Sequence, residues 1–401
     1  MPDWRDVSVW QRLLAEQAGA DGVVAAAARV EGDAADIVRL RKRFDADLVS
    51  AAIELAQARR KAAGRLDGAA NLWCDAQGVE QASGTLVARW KARRMAEVLG
   101  QGGAILDCCA GIGGDAIELA RAGLSVTAVD LDPRRAWMAS RNAGCPGKIA
   151  DVESIDPTGL AIHCDPARRD ERTGSRSWNL AAHRPGRAWV ARVLRDARAG
   201  AVKFSPGVDR RAFGDLAIEW EFIEERGVLV QAVAWSGAFA RSPRATRATV
   251  LGGAAEHSLT GIPDDSRSDR LGVAPAATPG AWLCEPTPAL ERAQLLTESS
   301  RGVGAELARG LGLVVAPRPL AAPWFESFEI VEPANARTDA VAGAIARHGL
   351  CARSVRVRGQ AVDADAWTRA LGCAPSGDAV VFAYRDGHGA RVVVTRARPT
   401  G

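Results

Sequence analysis

The stretch from Ala104 to Asp132, AILDCCAGIGGDAIELARAGLSVTAVDLD, constrains this chain more than any other. It spells a strand, a glycine turn, a helix and a second strand that ends in acid. Ala104 to Leu106 is a short apolar run. Gly111, Gly113 and Gly114 allow the backbone unusual dihedrals and a close approach to a ligand, and Asp115 opens a helical pattern. Asp130 closes the next apolar run, SVTAV, where a carboxylate can accept both hydroxyls of a ribose. The glycines also satisfy the dinucleotide pattern GxGxxA, so they do not by themselves separate NAD from another adenosine cofactor. Asp107 separates them. It stands four residues ahead of Gly111, beside the turn where a pyrophosphate would sit, and two anions there repel. A ligand carrying a sulfonium and an ammonium suits that acid instead.

DCCAGIGGDAIELA followed by VDLDP resembles motifs one and two of class I S-adenosylmethionine-dependent methyltransferases. Within them it looks closest to a bacterial group with a THUMP-like C-terminal domain, whose core is in turn similar to RNA cap guanine methyltransferases. The resemblance implies an α/β, Rossmann-like fold with a seven-stranded sheet and S-adenosyl-L-methionine as cofactor. It assigns Asp107, Gly111, Gly113, Gly114 and Asp130 to the cofactor. Asp151, after KIA, stands where the third motif of such enzymes contacts the adenine amine, and reads equally well as a helix N-cap with Ser154 and Asp156 nearby.

A chain of 401 residues is long enough for two or three domains and a large core. No apolar run reaches the ~18 residues of a membrane span, and MPDWRDVSVW lacks the charged-then-apolar order of a signal peptide, so no membrane partner and a cytoplasmic location are expected. The eight cysteines form no CxxC pair, and no histidine stands at metal-ligand spacing, so neither a zinc site nor a disulfide framework is indicated. A net charge of +4 is too modest to announce nucleic-acid binding. Of the 52 basic residues only Lys42, Lys61, Lys91, Lys148 and Lys203 are lysine, an arginine excess better explained by GC-rich coding than by phosphate recognition.

Residues 1–100 read as an N-terminal helical region, with apolar positions at helical spacing through Val7, Trp10, Leu13 and Leu14 and again through Leu48, Ala51, Ile53 and Leu55. Glu80, Gln81, Ala82 and Ser83 stand where the THUMP-like group has a Glu-Gln-Ala-Thr run. In VARWKARRM, Arg89, Lys91, Arg93 and Arg94 beside Trp90 could meet RNA, but a solvated basic face is the more usual meaning of such a run. Residues 101–260 alternate strand and helix, with strands expected at AILD, VTAVD, KIAD, LAIHCD, AVKFS, VLVQAVAW and ATVLG. Residues 261–325 read as a Gly, Pro and Ser-rich linker followed by a helical stretch from about Pro288 to Arg309. Residues 326–401 form a small α+β unit closed by a hairpin at RDGHG, in the position of the THUMP-like domain.

Asp165-Pro166-Ala167-Arg168-Arg169 follows the strand LAIHC and resembles motif four, which in amino-group methyltransferases reads Asp/Asn-Pro-Pro-aromatic. There a side-chain oxygen and a main-chain carbonyl accept the hydrogens of the target amine and hold its lone pair toward the methyl group. Asp165 and Pro166 are therefore the candidate catalytic residues. Ala167 and Arg168 replace the second proline and the aromatic. Arg168 and Arg169 could clamp a phosphate or stack on a base, or pair with Asp170 and Glu171 on a solvated loop. Lys203 and Ser205, in the Lys-hydrophobic-Ser-Pro-Gly segment that the THUMP-like group also carries, are expected to face the same opening as substrate contacts. A carbon target would call for a cysteine nucleophile, and Cys108, Cys109 and Cys164 are better read as structural thiols.

The expected activity is methylation of an amino nitrogen or another heteroatom of RNA, tRNA or rRNA. Rivals are a methyltransferase for a protein or small metabolite, an NAD-dependent oxidoreductase, and a binding module that has lost catalysis.

Overall fold

Apolar residues at helical spacing fold the start of the chain into helices. The protein, seen in a computed structural model, is described over residues 4–16, 22–30, 34–166, 184–252 and 255–397. Its described residues divide into two units, Met1–Trp220 with Gln231–Arg244, and Glu221–Val230 with Ala245–Gly401.

The first unit opens with α1 (Val7–Glu16), α2 (Val23–Ala28), α3 (Ala34–Arg41), α4 (Ala46–Ala62), α5 (Ala76–Gln81) and α6 (Thr85–Leu99). The Asp45 side chain accepts from the backbone N–H of Asp47 and so starts α4. Trp10 and Leu13 of α1 and Leu48 and Leu55 of α4 are buried in one cluster that also takes in Ile112 and Met138. Full burial of each leucine contributes about 1.5–3 kcal/mol. The helical region therefore shares a core with the glycine loop that follows it.

Strands and helices then alternate: β1 (Ala104–Cys108), α7 (Gly114–Arg121), β2 (Ser125–Asp130), α8 (Pro133–Ala143), β3 (Gly147–Ile149), β4 (Ala161–Cys164), α9 (Arg187–Asp196), β5 (Ala199–Phe204), β6 (Glu219–Glu225), which belongs to the second unit from Glu221 onward, and β7 (Val228–Gly237), which belongs to the first from Gln231 onward. The sheet of this unit runs β3-β2-β1-β4-β5-β7. Its first five strands are parallel, and β7 runs antiparallel to β5. This is a Rossmann-like sheet. Strand order reverses direction between β1 and β4, which puts the ligand crevice outside the carboxyl ends of those two strands.

Strand β6, EWEFIEE, escaped the sequence reading because it has no apolar run. Glu219 within it is fully buried, taking a two-pronged hydrogen bond from Arg94 (3.0 and 2.7 Å) and the backbone N–H groups of Arg241 and Ser242. Lys91 and Arg94 are themselves buried while Arg89 and Arg93 are exposed, so the reading of VARWKARRM as a solvated or RNA-facing run is corrected for Lys91 and Arg94.

The second unit holds β8 (Thr246–Leu251), β9 (His257–Gly261), β10 (Trp282–Pro286), α10 (Pro288–Ala293), α11 (Leu296–Ser300), β11 (Ala305–Glu306), β12 (Val314–Ala316), β13 (Phe325–Ala334), α12 (Thr338–Arg347), β14 (Ala352–Arg358), α13 (Ala364–Ala370), β15 (Ala379–Asp386) and β16 (Gly389–Ala397). The expected strand ATVLG is β8 and falls in this unit. A seven-stranded sheet runs β11-β12-β10-β13-β16-β15-β14. Where a linker and one helical stretch were expected, β10, β11 and β12 join that sheet, and the helix is broken into α10 and α11, since Gln294 takes a left-handed conformation. Strand β15 is buried on both faces. Ala379, Val381 and Ala383 pack in a cluster with Val341 and Ala344 of α12, while Val380, Phe382 and Tyr384 pack with Leu283 and Phe328. No helix of the described residues is long and apolar enough to cross a membrane.

Candidate active site

The glycine turn after β1 takes the backbone its sequence allows. Cys109, Gly111 and Gly113 all have positive φ, at 59°, 58° and 82°. A Cβ on Gly113 would lie 2.8 Å from the Cα of Ala139, so only glycine lets α7 sit this close to α8. Around Gly111 a Cβ would meet nothing within 4 Å, so that side of the turn is open. Asp130, at the end of β2, pins the turn: one oxygen accepts from Gly111 N (2.9 Å) and the other from Asp132 N (3.0 Å). Each oxygen keeps a lone pair for a further donor. Burial holds its carboxyl above the usual range, against these two backbone hydrogen bonds. Asp132 then caps α8 through Arg134 N, with Pro133 in the first turn.

Beneath the turn lies a buried chain of charges. Asp107, 1% exposed, receives a hydrogen bond from Nδ1 of the fully buried His163 on β4 at 2.7 Å. Nε2 of His163 meets the Lys91 ammonium at 3.2 Å, and Lys91 also meets Asp115 Oδ1 at 2.6 Å and Ser83 Oγ at 3.3 Å. An ammonium only donates, so Nε2 is the acceptor and Nδ1 carries the hydrogen. Ser83 donates to Asp115 Oδ2 at 2.9 Å and accepts from Lys203 at 3.3 Å. Lys203 in turn meets Asp165 Oδ2 at 2.6 Å. Burial pushes the Asp115 carboxyl up, but the surrounding positive charge, Lys91 foremost, takes it well below the usual carboxylate range. The chain runs unbroken from the end of β1 to the end of β4, the two strands that flank the crevice.

Asp165 and Pro166 follow β4 directly, and Asp165 N donates to Cys108 O at the end of β1. Asp107, Asp130 and Asp165 thus lie at neighbouring strand ends, with Gly111, Gly113 and Gly114 beside them. Asp151 stands apart from this group in role: its side chain accepts from Glu153 N at 2.9 Å and caps a short 3-10 turn. Ser205 lies in the turn after β5, its hydroxyl 3.4 Å from Gly207 N. Ala167, Arg168 and Arg169 lie outside the described residues. Cys108 and Cys164 are buried with thiols pushed up by burial, as structural cysteines are.

Four members of the chain were not singled out from the sequence as site residues: Ser83, Lys91, Asp115 and His163. The lysines carried a signal, because two of the five in a chain that otherwise uses arginine are the buried pair Lys91 and Lys203. Leu131 and Ile149 were also passed over. They follow and face Asp130 at the ends of β2 and β3, and are 58% and 60% exposed. Apolar side chains left in water beside that acid offer a surface for a flat heterocycle.

These residues fit S-adenosylmethionine. Two ammonium groups face three carboxylates in the buried chain, an excess of one negative charge, and Asp107 Oδ2 is buried without a hydrogen-bond partner. Burial raises the Asp107 carboxyl above its usual range, opposed by the His163 hydrogen bond, so a cation placed beside it is favoured. Asp107 would hold the cationic methionine half, Asp130 the ribose, and Leu131 with Ile149 the adenine.

Comparison with known proteins agrees. Residues 102–158 match the model of the RNA cap guanine-N2 methyltransferase family. A crystal structure from Porphyromonas gingivalis W83, described as that of a methyltransferase by assignment, superposes with a TM-score of 0.72 over 97% of this chain and 98% of its own, at 16% identity. Two curated proteins from the CDC 1551 / Oshkosh and H37Rv strains of Mycobacterium tuberculosis, each described as an uncharacterized S-adenosylmethionine-dependent methyltransferase, are 30% identical over 370 residues, covering 89% of this chain and 98% of theirs. On that likeness across nearly the whole length of both chains, the protein belongs to the S-adenosylmethionine-dependent methyltransferases.

Proposed function

We propose that the enzyme methylates an amino nitrogen of RNA, with tRNA or rRNA as the substrate class, and that Asp165 and Pro166 orient the target amine. The observation that carries this reading is the acid-proline pair at the end of β4, hydrogen-bonded to the end of β1, in a chain whose cofactor segment matches the RNA cap guanine-N2 methyltransferase model. The cofactor supplies a methyl group on a sulfonium, already an activated leaving group. Little acid–base help is then needed, and the work of the protein is orientation. Asp165 accepts one N–H of the amine through its carboxylate, a main-chain carbonyl accepts the other, and the nitrogen lone pair is left facing the methyl group. The proton released from the methylated nitrogen passes to solvent. Arg168 and Arg169 hold RNA phosphate, with Ser205 at the same mouth, and the α+β part at 326–401 acts as a THUMP-like domain that adds RNA affinity.

The test uses cells lacking the gene. Purified enzyme and methyl-labelled cofactor are incubated separately with their RNA, protein and small-molecule fractions. Label is expected in RNA, on an N-methylated nucleoside; label confined to protein or metabolites would overturn the substrate class. Asp165→Ala should lower the single-turnover rate by roughly 100-fold or more, with cofactor affinity little changed. Full activity in that variant would remove the amine-orienting role.

A further inference from the structure

We infer that Lys203 is a positioning residue for Asp165 rather than a contact for RNA, an inference that rests on the amine-orienting role proposed above. Its ammonium is buried and has three donors. Each meets an acceptor from the protein: Asp165 Oδ2 at 2.6 Å, Ser83 Oγ at 3.3 Å and, more loosely, the carbonyl of Gln81 at 3.5 Å. None is left for a phosphate.

The three acceptors come from two parts of the unit that the sequence separates by more than eighty residues. Asp165 follows β4, whereas Gln81 ends α5 and Ser83 lies between α5 and α6. Ser83 is itself saturated, donating to Asp115 and accepting from both lysines. Its position is therefore fixed, and it fixes the ammonium in turn. Lys203 holds Oδ2 of Asp165, and in this inference Oδ1 is the acceptor presented to the amine. The N-terminal helical region thus sets the orientation of an acid on the far strand, and this accounts for the Gln81–Ser83 segment lying against the glycine turn, where a Cβ on Gly114 would come within 3.2 Å of Ala82. A lysine is required. Its compact ammonium gathers three acceptors around one rotatable nitrogen, whereas the larger guanidinium holds its donors in a single rigid plane.

The experiment uses the full chain and RNA from cells lacking the gene. Lys203→Ala should lower the single-turnover methyl-transfer rate by roughly 10- to 100-fold, while the dissociation constants for RNA and S-adenosylhomocysteine, and the salt dependence of RNA binding, stay within about twofold. Millimolar ethylammonium should restore part of the lost rate by refilling the vacated ammonium position, and Lys203→Arg should not. Lys203→Met, which keeps the volume, provides the same comparison should the alanine variant fold poorly, and Ser83→Ala should lose rate in the same direction by a smaller factor. RNA binding that weakens in Lys203→Met with a lower salt slope and an unchanged saturating rate would overturn the inference and make Lys203 a substrate contact. The two proposals fail separately: an inactive Asp165→Ala beside a fully active Lys203→Met removes only the role given to Lys203, whereas a fully active Asp165→Ala removes the reading beneath it.

Discussion

Each unit of the protein contains a cluster of charges, and the two clusters are built on different terms. In the second unit Arg356 and Arg358 of β14 meet Glu285, Glu291 and Glu326. Arg356 also lies over the rings of Phe328 and Phe382, 4.7 and 5.7 Å from their centroids. Burial lowers the arginine pKa values, but the facing glutamates more than offset it. The side chains there are a quarter or more exposed on the arginine side, so water shares the load. In the first unit Lys91, Lys203, His163, Asp107 and Asp115 are withdrawn from water, Asp165 at the partly exposed end brings the carboxylates to three against two ammonium groups, and Asp107 Oδ2 has no hydrogen-bond partner. The first arrangement holds strands together. The second is costly unless a cation completes it, and it stands at the strand ends where this fold binds ligands.

The largest effect expected from this contrast is in Lys91→Met. Removing one partner of a buried pair strands Asp115, and unfolding in urea should show a loss of about 3–5 kcal/mol. A loss below about 1 kcal/mol would mean that water reaches the site. Asp130→Ala comes next. With Asp130 assigned to the ribose as proposed, calorimetry should record cofactor binding weakened by about 1.5–3 kcal/mol, the loss of charge-assisted hydrogen bonds, with the fold retained. An unchanged dissociation constant would mean that the end of β2 does not face the ribose. The smallest effect belongs to the second unit. Glu326 is 60% exposed, and Glu326→Gln should change stability by under about 1 kcal/mol, because Arg356 keeps Glu285 and its aromatic neighbours. A larger loss would make the two clusters alike.

The contrast also separates what could be read in the sequence from what could not. Asp107, Asp130 and Asp165 were legible because each follows an apolar run, and the rule that parallel sheets bind ligands at strand ends selects such residues without a structure. The glycine turn was legible from spacing. Lys91, Asp115 and His163 were not, because their partners lie far along the chain: His163 stands 56 residues from Asp107 and 72 from Lys91. Nothing in a helix such as VARWKARRM tells its buried cations from its solvated ones, since the burying surface is supplied elsewhere. Strand β6 hid for the related reason that its buried acids are satisfied from far along the chain, Glu219 by Arg94 and backbone N–H groups, Glu221 by the Thr249 hydroxyl and Glu224 by Ala289 N, so its pattern reads as polar. In the second unit β10, β11 and β12 are five residues or fewer, too short for periodicity to separate from the Gly and Pro-rich chain around them.

The central claim is that the buried chain is short of one positive charge, which the cofactor brings to Asp107. Calorimetric titration of S-adenosylhomocysteine, whose amino group is cationic, into the wild type and Asp107→Asn at two pH values tests it. Burial raises the Asp107 carboxyl, so its protonated form persists above the usual carboxylate range, and a cation binds there only as that proton leaves. Wild-type affinity should therefore fall as pH is lowered toward the raised value, with protons released on binding, whereas Asp107→Asn should bind weakly with a flatter response. Equal affinity in the two proteins, with no proton release in the wild type, would contradict the account.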